Sequence, residues 1–359
     1  MEKNKFISKL YFLEKFKSKS WRPFSKLIIR GDGADWVLTS IANEMKNLMS
    51  QIGIETLNDR YYYNSSNQCV FYTSKYEVLN NFPKVNHRIA FPYFHGMPES
   101  SLHFKTMFDN ISKNHEKISK IQVSHSIMEK KILETGIDAN KIHKIPISIN
   151  YNQFSKLDNE TKKQLRFSYG IPRDAIVIGS FQKDGEGWGR GLKPKLIKGP
   201  DIFIESLKLI KKSIPEVFVL LSGPARGYVI ENLIKIGIPY KHINLPNYID
   251  INKLYNCLDL YIVSSREEGG PRSILECMAT GVPILSTKVG QAIDLINHDV
   301  NGWLVDISDI ESIADKAKYI IENKNSISNI LDQAQRDAES NSYKNQKDKW
   351  KNFMRGFVD

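Results

Sequence analysis

The sequence predicts an α/β chain of two doubly wound domains, each a parallel sheet covered by helices, facing one another across a central cleft. Three observations lead there. Its 359 residues exceed one typical hydrophobic core. From Lys26 onward, short apolar runs of strand length alternate with stretches of helical spacing. That rhythm breaks over a polar stretch, Asn150 to Asp174, and then starts again.

Residues 1–25 stand apart. Residues 1–26 hold eight Lys or Arg against Glu2 and Glu14, so +6 of the formal +11 lies in this stretch. Phe6, Ile7, Leu10, Leu13 and Phe16 recur among the lysines at near-helical spacing. A basic amphipathic helix follows, which either lies on an anionic membrane surface or packs its apolar stripe on the body of the protein. The first domain, 26–165, opens with "KLIIRGDG", a strand and glycine turn. "ADWVLTSIANEMKNLM" continues it with helical spacing at Trp36, Ile41, Met45 and Leu48. "CVFYTS", "HRIAFPYF", "KIQVSHS" and "KIHKIPISI" are its further strands.

The second domain, 166–337, begins at strand "AIVIGSF". Helix "DIFIESLKLIKKS", strand "VFVLLSG", helices "VIENLIKIG" and "INKLYNCL", and strand "LYIVSS" come next. Strand "VPILST" and the pair "GWLVDI" and "ESIADKAKYIIEN" complete it. A C-terminal helix within 338–359, anchored by Trp350 and Phe353, is expected to pack back on the first domain.

Composition narrows the class. At 41% hydrophobic and 25% charged, the chain has the makeup of a folded protein. No apolar run approaches the roughly 20 residues that span a bilayer, and the first residues lack the apolar core and small-residue cleavage site expected of a signal peptide. Cys69, Cys257 and Cys277 are odd in number, widely spaced and without a CxxC. They argue against a disulfide framework or a metal site and fit a cytoplasmic setting. The charge comes without a basic stripe interleaved with aromatics, which argues against a nucleic-acid partner.

"EEGGPRSILE", Glu267 to Glu276, concentrates the chemistry. A strand ends near Ser264, and a helix is expected from about Pro271, since proline suits a first turn. Gly269 and Gly270 let the backbone approach a ligand closely. The N–H groups of Arg272, Ser273 and Ile274 then point out of the helix amino end, where the dipole favours a phosphate. Glu276 lies about five residues in, placed to accept hydrogen bonds from vicinal hydroxyls such as those of a ribose. Glu268, ahead of the helix, faces whatever is attached beyond the phosphates. The order is nucleotide, diphosphate, sugar.

With those residues in view, "SREEGGPRSILECMATGVPILSTKVG" closely resembles the signature of family-four retaining glycosyltransferases. These have the GT-B fold, two Rossmann-like domains about a cleft. The core of the signature is two glutamates separated by seven residues, here Glu268 and Glu276. "IKGPDIFIESL" resembles the family's Lys-Gly motif, "VNGWLV" its Asn-Gly turn, and "IQVSHSIMEKKILETGIDANKIHKIPISINYNQF" the segment closing its first domain. The resemblance implies that Glu276 holds the ribose and that Glu268 meets the transferred sugar. Backbone groups from Gly269 to Ser273 would surround sugar and diphosphate, and Lys198 would neutralise the diphosphate as it leaves. "GDGADW" resembles the glycine turn that approaches donor phosphate, giving Gly31 and Gly33. "FPYFHG" resembles the strand that ends in an active-site histidine, giving His95.

One departure stands out. Where the family has arginine directly after the glycine of the second domain's first strand, "AIVIGSF", this chain has Ser180. Lys183 is the nearest cation, though an ammonium lacks the guanidinium fork. An insertion, "KDGEGWGRGLKPKLI", then delays Lys198 and reads as a flexible basic loop. The resemblance implies transfer from a nucleotide-diphosphate sugar, a UDP-sugar or GDP-sugar, without cofactor. No Asp-x-Asp motif appears where a metal would be needed, so the transfer is expected to be metal-independent, and the basic residues 1–25 point to a glycan or lipid-linked acceptor. Two alternatives remain: an epimerase or hydrolase of the same fold that needs no acceptor, and a binding homologue without chemistry.

Overall fold

Each strand series forms its own six-stranded, wholly parallel sheet. The computed structural model describes residues 23–31, 37–59, 62 and 67–359. The basic segment 1–25 lies outside the described residues except for its last three, as do Gly33 and Trp36.

The first unit contains β1 (Leu27–Arg30), α1 (Val37–Gln51), β2 (Thr56–Leu57), β3 (Cys69–Tyr72), α2 (Tyr76–Leu79) and β4 (Arg88–Pro92). It continues with α3 (Leu102–Asn114), β5 (Ile118–Val123), α4 (Ser126–Leu133) and β6 (Ile142–Lys144). The sheet order is β2-β1-β3-β4-β5-β6. The order reverses between β1 and β3, so Gly31, directly after β1, sits at the switch point where open α/β sheets take ligands.

The chain leaves this unit after Pro146 and returns to it at Gln346. In between it forms α5 (Asn159–Ser168), β7 (Ile176–Phe181), α6 (Pro200–Ser213), β8 (Val217–Ser222), α7 (Gly227–Lys235) and β9 (Tyr240–Ile243). Then come α8 (Ile251–Tyr255), β10 (Leu260–Val263), α9 (Arg272–Thr280), β11 (Ile284–Thr287), α10 (Ala292–Leu295) and β12 (Trp303–Val305). α11 (Ile310–Glu322) and α12 (Ser328–Ser340) end the unit. Its order, β12-β11-β10-β7-β8-β9, places the reversal between β7 and β10.

Alternation along these strands explains the double cover. Val177, Leu220, Tyr261 and Val263 face a core built with α8, α9 and α12. Their neighbours Ile178, Val219, Leu221, Leu260 and Ile262 face another, built with α6, α7 and α11. A strand buried on both faces reads as an unbroken apolar run, as "VFVLL" does. Back in the first unit, α13 (Lys347–Met354) packs Trp350 and Phe353 against Phe71, with ring centroids 6.0 and 5.8 Å away.

The structure adds β2, α2, β9, α5, α10 and α12 to the elements read from the sequence. α5 lies inside the stretch read as a break. It buries no residue and so carries no apolar stripe. Its amino end is capped by Asp158, which accepts from Thr161 N–H, and Arg166 binds Asp259 at 2.8 Å. β9 is a four-residue edge strand with no fully buried position. Among the described residues, no helix is long and apolar enough to cross a membrane.

Candidate active site

The carboxyl ends of β7 and β10 gather the residues of the second unit. Glu268 accepts from Lys198 Nζ at 2.6 Å and from Ser265 Oγ at 2.9 Å, with its side chain 11% exposed. Lys198 closes a single 3-10 turn, Leu196–Lys198, and Gly199 follows with φ +62° as the N-cap of α6. A Cβ on Gly199 would stand 1.9 Å from the carbonyl oxygen of Ser264. Glycine is therefore what brings the lysine against the end of β10. Arg266 forks onto Asp201 at 2.8 and 2.6 Å and fastens the start of α6 to the same loop.

Pro271 is the N-cap of α9, and Arg272 is its first helical residue, one position later than expected. The Ile274 N–H donates to Pro271 O at 3.2 Å. The Ile274 N–H, one of the expected anion donors, is thereby already engaged within the first turn of the helix. The loop after β11 supports this backbone. Gly290 lies so close that a Cβ would meet Glu268 O at 2.5 Å, and buried Gln291 accepts from the Ile147 N–H at 2.8 Å beside Gly270.

Glu276 is 2% exposed, and each of its oxygens accepts a hydrogen bond. Tyr255 donates its hydroxyl to Oε2 at 2.6 Å, and Tyr248 donates its hydroxyl to Oε1. Arg272 Nε stands 3.7 Å from Oε1. Burial first, then the Glu276 charge, pushes both phenols well above the ordinary tyrosine range, so both keep their protons and act as donors.

An arginine does lie at Ser180, supplied by a different element. Arg226, at the amino end of α7, donates to Ser180 O at 2.8 Å, Gln182 O at 2.7 Å and Ser180 Oγ at 3.2 Å. It pairs with Asp184 at 3.1 Å, with both side chains at most 1% exposed. Its fork is turned onto backbone carbonyls, a structural use. The insertion is likewise ordered, against the expectation of a loose loop. Glu186 N–H donates to Lys193 O at 2.9 Å and Lys195 N–H to Asp184 O at 2.8 Å, forming a short ribbon. The carbonyls of Arg190 and Gly191 accept from the N–H groups of Gly227 and Tyr228 at 2.7 and 2.9 Å, capping α7. Lys183 Nζ rests 3.7 Å from the Trp188 ring centroid. Desolvation, then repulsion from Lys198 and Lys183, holds the Lys195 ammonium below the usual lysine range. Three lysines thus share one neighbourhood near Glu268.

In the first unit, His95 lies exposed, three residues beyond β4. Its backbone is clamped by three side chains acting on successive carbonyls. His125 Nε2 bonds Phe94 O at 3.2 Å, Lys75 Nζ donates to His95 O, and Tyr93 Oη donates to Gly96 O at 2.9 Å. Lys75 is 4% exposed, and its ammonium sits 3.8 Å from the ring centroid of Tyr93 and 4.7 Å from that of Phe104.

The family described as glycosyl transferases group 1 matches residues 192–339. That stretch is a glycosyl transferases group 1 domain. The lipopolysaccharide core biosynthesis mannosyltransferase LpsB of Rhizobium meliloti is 26% identical over 136 residues, 35% of this chain and 39% of the relative. The UDP-Gal:alpha-D-GlcNAc-diphosphoundecaprenol alpha-1,3-galactosyltransferase of Escherichia coli is 25% identical over 201 residues, 54% of this chain and 48% of the relative. The chain therefore spans less than half the length of these two relatives. Among solved structures, Anabaena HepE in complex with UDP and glucose superposes with a TM-score of 0.70 at 16% identity, covering 91% of this chain and 99% of that one. Sucrose-phosphate synthase of Thermosynechococcus elongatus gives 0.72 at 13%, covering 92% and 98%. These likenesses show the fold, GT-B.

The group 1 domain contains Lys198, Glu268, Gly269, Gly270, Pro271, Arg272, Ser273, Ile274 and Glu276. Lys183 lies just before the matched stretch, and Gly31 and His95 belong to the other unit. Sequence reasoning missed Ser265, Gln291, Tyr248, Tyr255 and Arg226. Tyr255 carried a signal, a hydroxyl on the apolar face of "INKLYNCL", which needs a buried partner.

Proposed function

We propose that the chain is a retaining glycosyltransferase that moves a sugar from a UDP- or GDP-linked donor to a hydroxyl of a glycan or lipid-linked acceptor, without a metal ion. The observation that carries this reading is Lys198 paired with Glu268 at 2.6 Å beside the amino end of α9, with Glu276 further along the same helix. The diphosphate would lie on the N–H groups of Arg272 and Ser273, with Gly269, Gly270 and Pro271 giving it backbone room. Glu276 would take the ribose. An ammonium has three donors, so Lys198 can hold Glu268 and still meet a phosphate oxygen.

In the reaction, the anomeric C–O bond to the diphosphate breaks while a bond from the acceptor oxygen forms on the same face. The acceptor's proton passes to the departing phosphate oxygen. Charge therefore builds on phosphate, where Lys198, aided by Lys183 and Lys195, stabilises it more in the transition state than before. Glu268 orients the sugar hydroxyls. His95 and Gly31 enter on the resemblance alone. A UDP complex of a protein with this fold and a relative named for a diphosphoundecaprenol acceptor support the choice of donor and acceptor. Residues 1–25 would bring the enzyme to an anionic membrane face. Loss of binding to phosphatidylglycerol vesicles on removing them is the expected result, and unchanged binding would remove this part of the proposal.

A panel of nucleotide sugars, assayed with and without glycan acceptors, tests the reading. Nucleotide release should depend on acceptor, and Glu268→Gln and Lys198→Met should each lower turnover about a hundredfold or more while the melting temperature changes little. Full activity in both variants overturns the assignment. Equal donor consumption without acceptor transfers it to the hydrolase or epimerase.

A further inference from the structure

Each oxygen of Glu276 could accept one more hydrogen bond, but at 2% exposure the carboxylate has no open side from which a ribose could reach it. Oε2 accepts from Tyr255, Oε1 accepts from Tyr248, and Arg272 stands 3.7 Å from Oε1. If this carboxylate binds nucleotide as proposed above, one of those partners must give way, and the two tyrosines differ sharply in how easily they can.

Tyr255 is fixed. It is 1% exposed on α8, and its ring packs among Phe181, Tyr261 and Phe154 at centroid distances of 5.0, 5.6 and 6.4 Å. Tyr248 is placed quite differently. Its hydroxyl end is buried against Glu276, yet the residue as a whole is 46% exposed; it opens a single 3-10 turn, Tyr248–Asp250, and has 57% exposed Ile249 as its neighbour. The residues from Pro246 to Ile249 are all exposed, so moving this turn sacrifices little apolar burial. The local cap, Asn247 Oδ1 accepting from Ile249 N–H at 3.2 Å, travels with the turn.

Tyr248 also presents the two features that a nucleoside would bring. Its hydroxyl binds Glu276, and its aromatic ring lies 5.6 Å from the Arg272 guanidinium at the amino end of α9. We propose that Tyr248 holds the nucleoside's place on Glu276 and is exchanged for it: a ribose hydroxyl takes over Oε1 while Tyr255 keeps Oε2 and orients the carboxylate. This rests on the reading of Glu276 given above. Tyr248 is then a specificity-determining residue, because only a ligand with a free ribose hydroxyl replaces the bond that its departure breaks. Tyr255 is a positioning residue.

The test is calorimetric titration of the full chain with UDP, or with GDP if the wild type takes that base, alongside thermal melts. Tyr248→Phe removes the competing hydroxyl, so nucleotide affinity should rise about threefold to tenfold, the scale of one exchanged hydrogen bond. The melting temperature without nucleotide should fall. Tyr255→Phe should lower both affinity and melting temperature. Opposite movement of the two readouts in Tyr248→Phe is what a purely structural role would not give. Tyr248→Leu should repeat the gain and serves if the first variant folds poorly. Affinity unchanged or weakened in the Tyr248 variants overturns the exchange, while Glu276→Gln losing nucleotide would still uphold the ribose reading. A wild type that binds neither nucleotide overturns both.

Discussion

A Cβ placed on Gly199 would stand 1.9 Å from the Ser264 carbonyl oxygen, and the residue's φ of +62° already disfavours any side chain. Gly199→Ala should therefore cost about 2 kcal/mol or more in stability, by urea melt, and should lower turnover as the turn carrying Lys198 shifts. Wild-type stability and rate in that variant would contradict the close approach. The thiols give a second check. Burial pushes Cys69 up to about 12 and Cys257 up to about 11, and it pushes Cys277 well above its ordinary value. Iodoacetamide should label none of them before the chain unfolds, and prompt labelling of the native chain would refute their burial. Lys198 and Glu268, which the structure pairs, could be singled out from the sequence because "KG" and "EEGGP" are contiguous strings whose conformation is local. The phenols on Glu276 could not, because they lie 28 and 21 residues away and only tertiary packing joins them to it. Arg226, 46 residues from Ser180, stayed hidden for the same reason.

Among the elements, the insertion after β7 depends most on an interaction within the second unit. Arg226 and Asp184 tie its first residues to α7, both buried. Removing the guanidinium alone leaves an uncompensated carboxylate, so Arg226→Met should cost about 3–5 kcal/mol, with Asp184→Asn in the same chain restoring part of it. Additive losses in the double variant would show that the pair is not coupled. α13 makes a similar contribution to the first unit. Phe353 is fully buried against Phe71 and His143, so Phe353→Ala should cost about 3–5 kcal/mol in a melt of the full chain. The strong periodic elements were readable because burial on both strand faces leaves apolar runs. α5 and β9 were not. One presents no apolar stripe and the other is a short edge, so neither writes its packing into the sequence.

At the scale of the whole molecule, two parallel sheets with order reversals set where ligands can bind, and in the second unit the reversal falls where Lys198 and Glu268 meet. The fold class followed from the alternation of elements, while the strand order had to be seen. Stability of the whole chain should also report on pH. Burial, with Lys120 Nζ 3.0 Å away, holds His143 down to about 4, and burial lowers His87 as well. The unfolded chain therefore takes up protons that the folded chain refuses. Stability is full above about 6.5 and falls as pH drops toward 4. Urea melts across that window should show the loss, and His143→Gln should flatten part of it; identical slopes would contradict the assignment. The central claim is a diphosphate at the amino end of α9 with a ribose on Glu276, and a crystal structure of the chain with UDP tests it most directly. The account predicts phosphate oxygens within hydrogen-bond distance of the Arg272 and Ser273 N–H groups and a ribose hydroxyl on Glu276. UDP bound elsewhere, or phosphates there with the ribose turned away from Glu276, would contradict it.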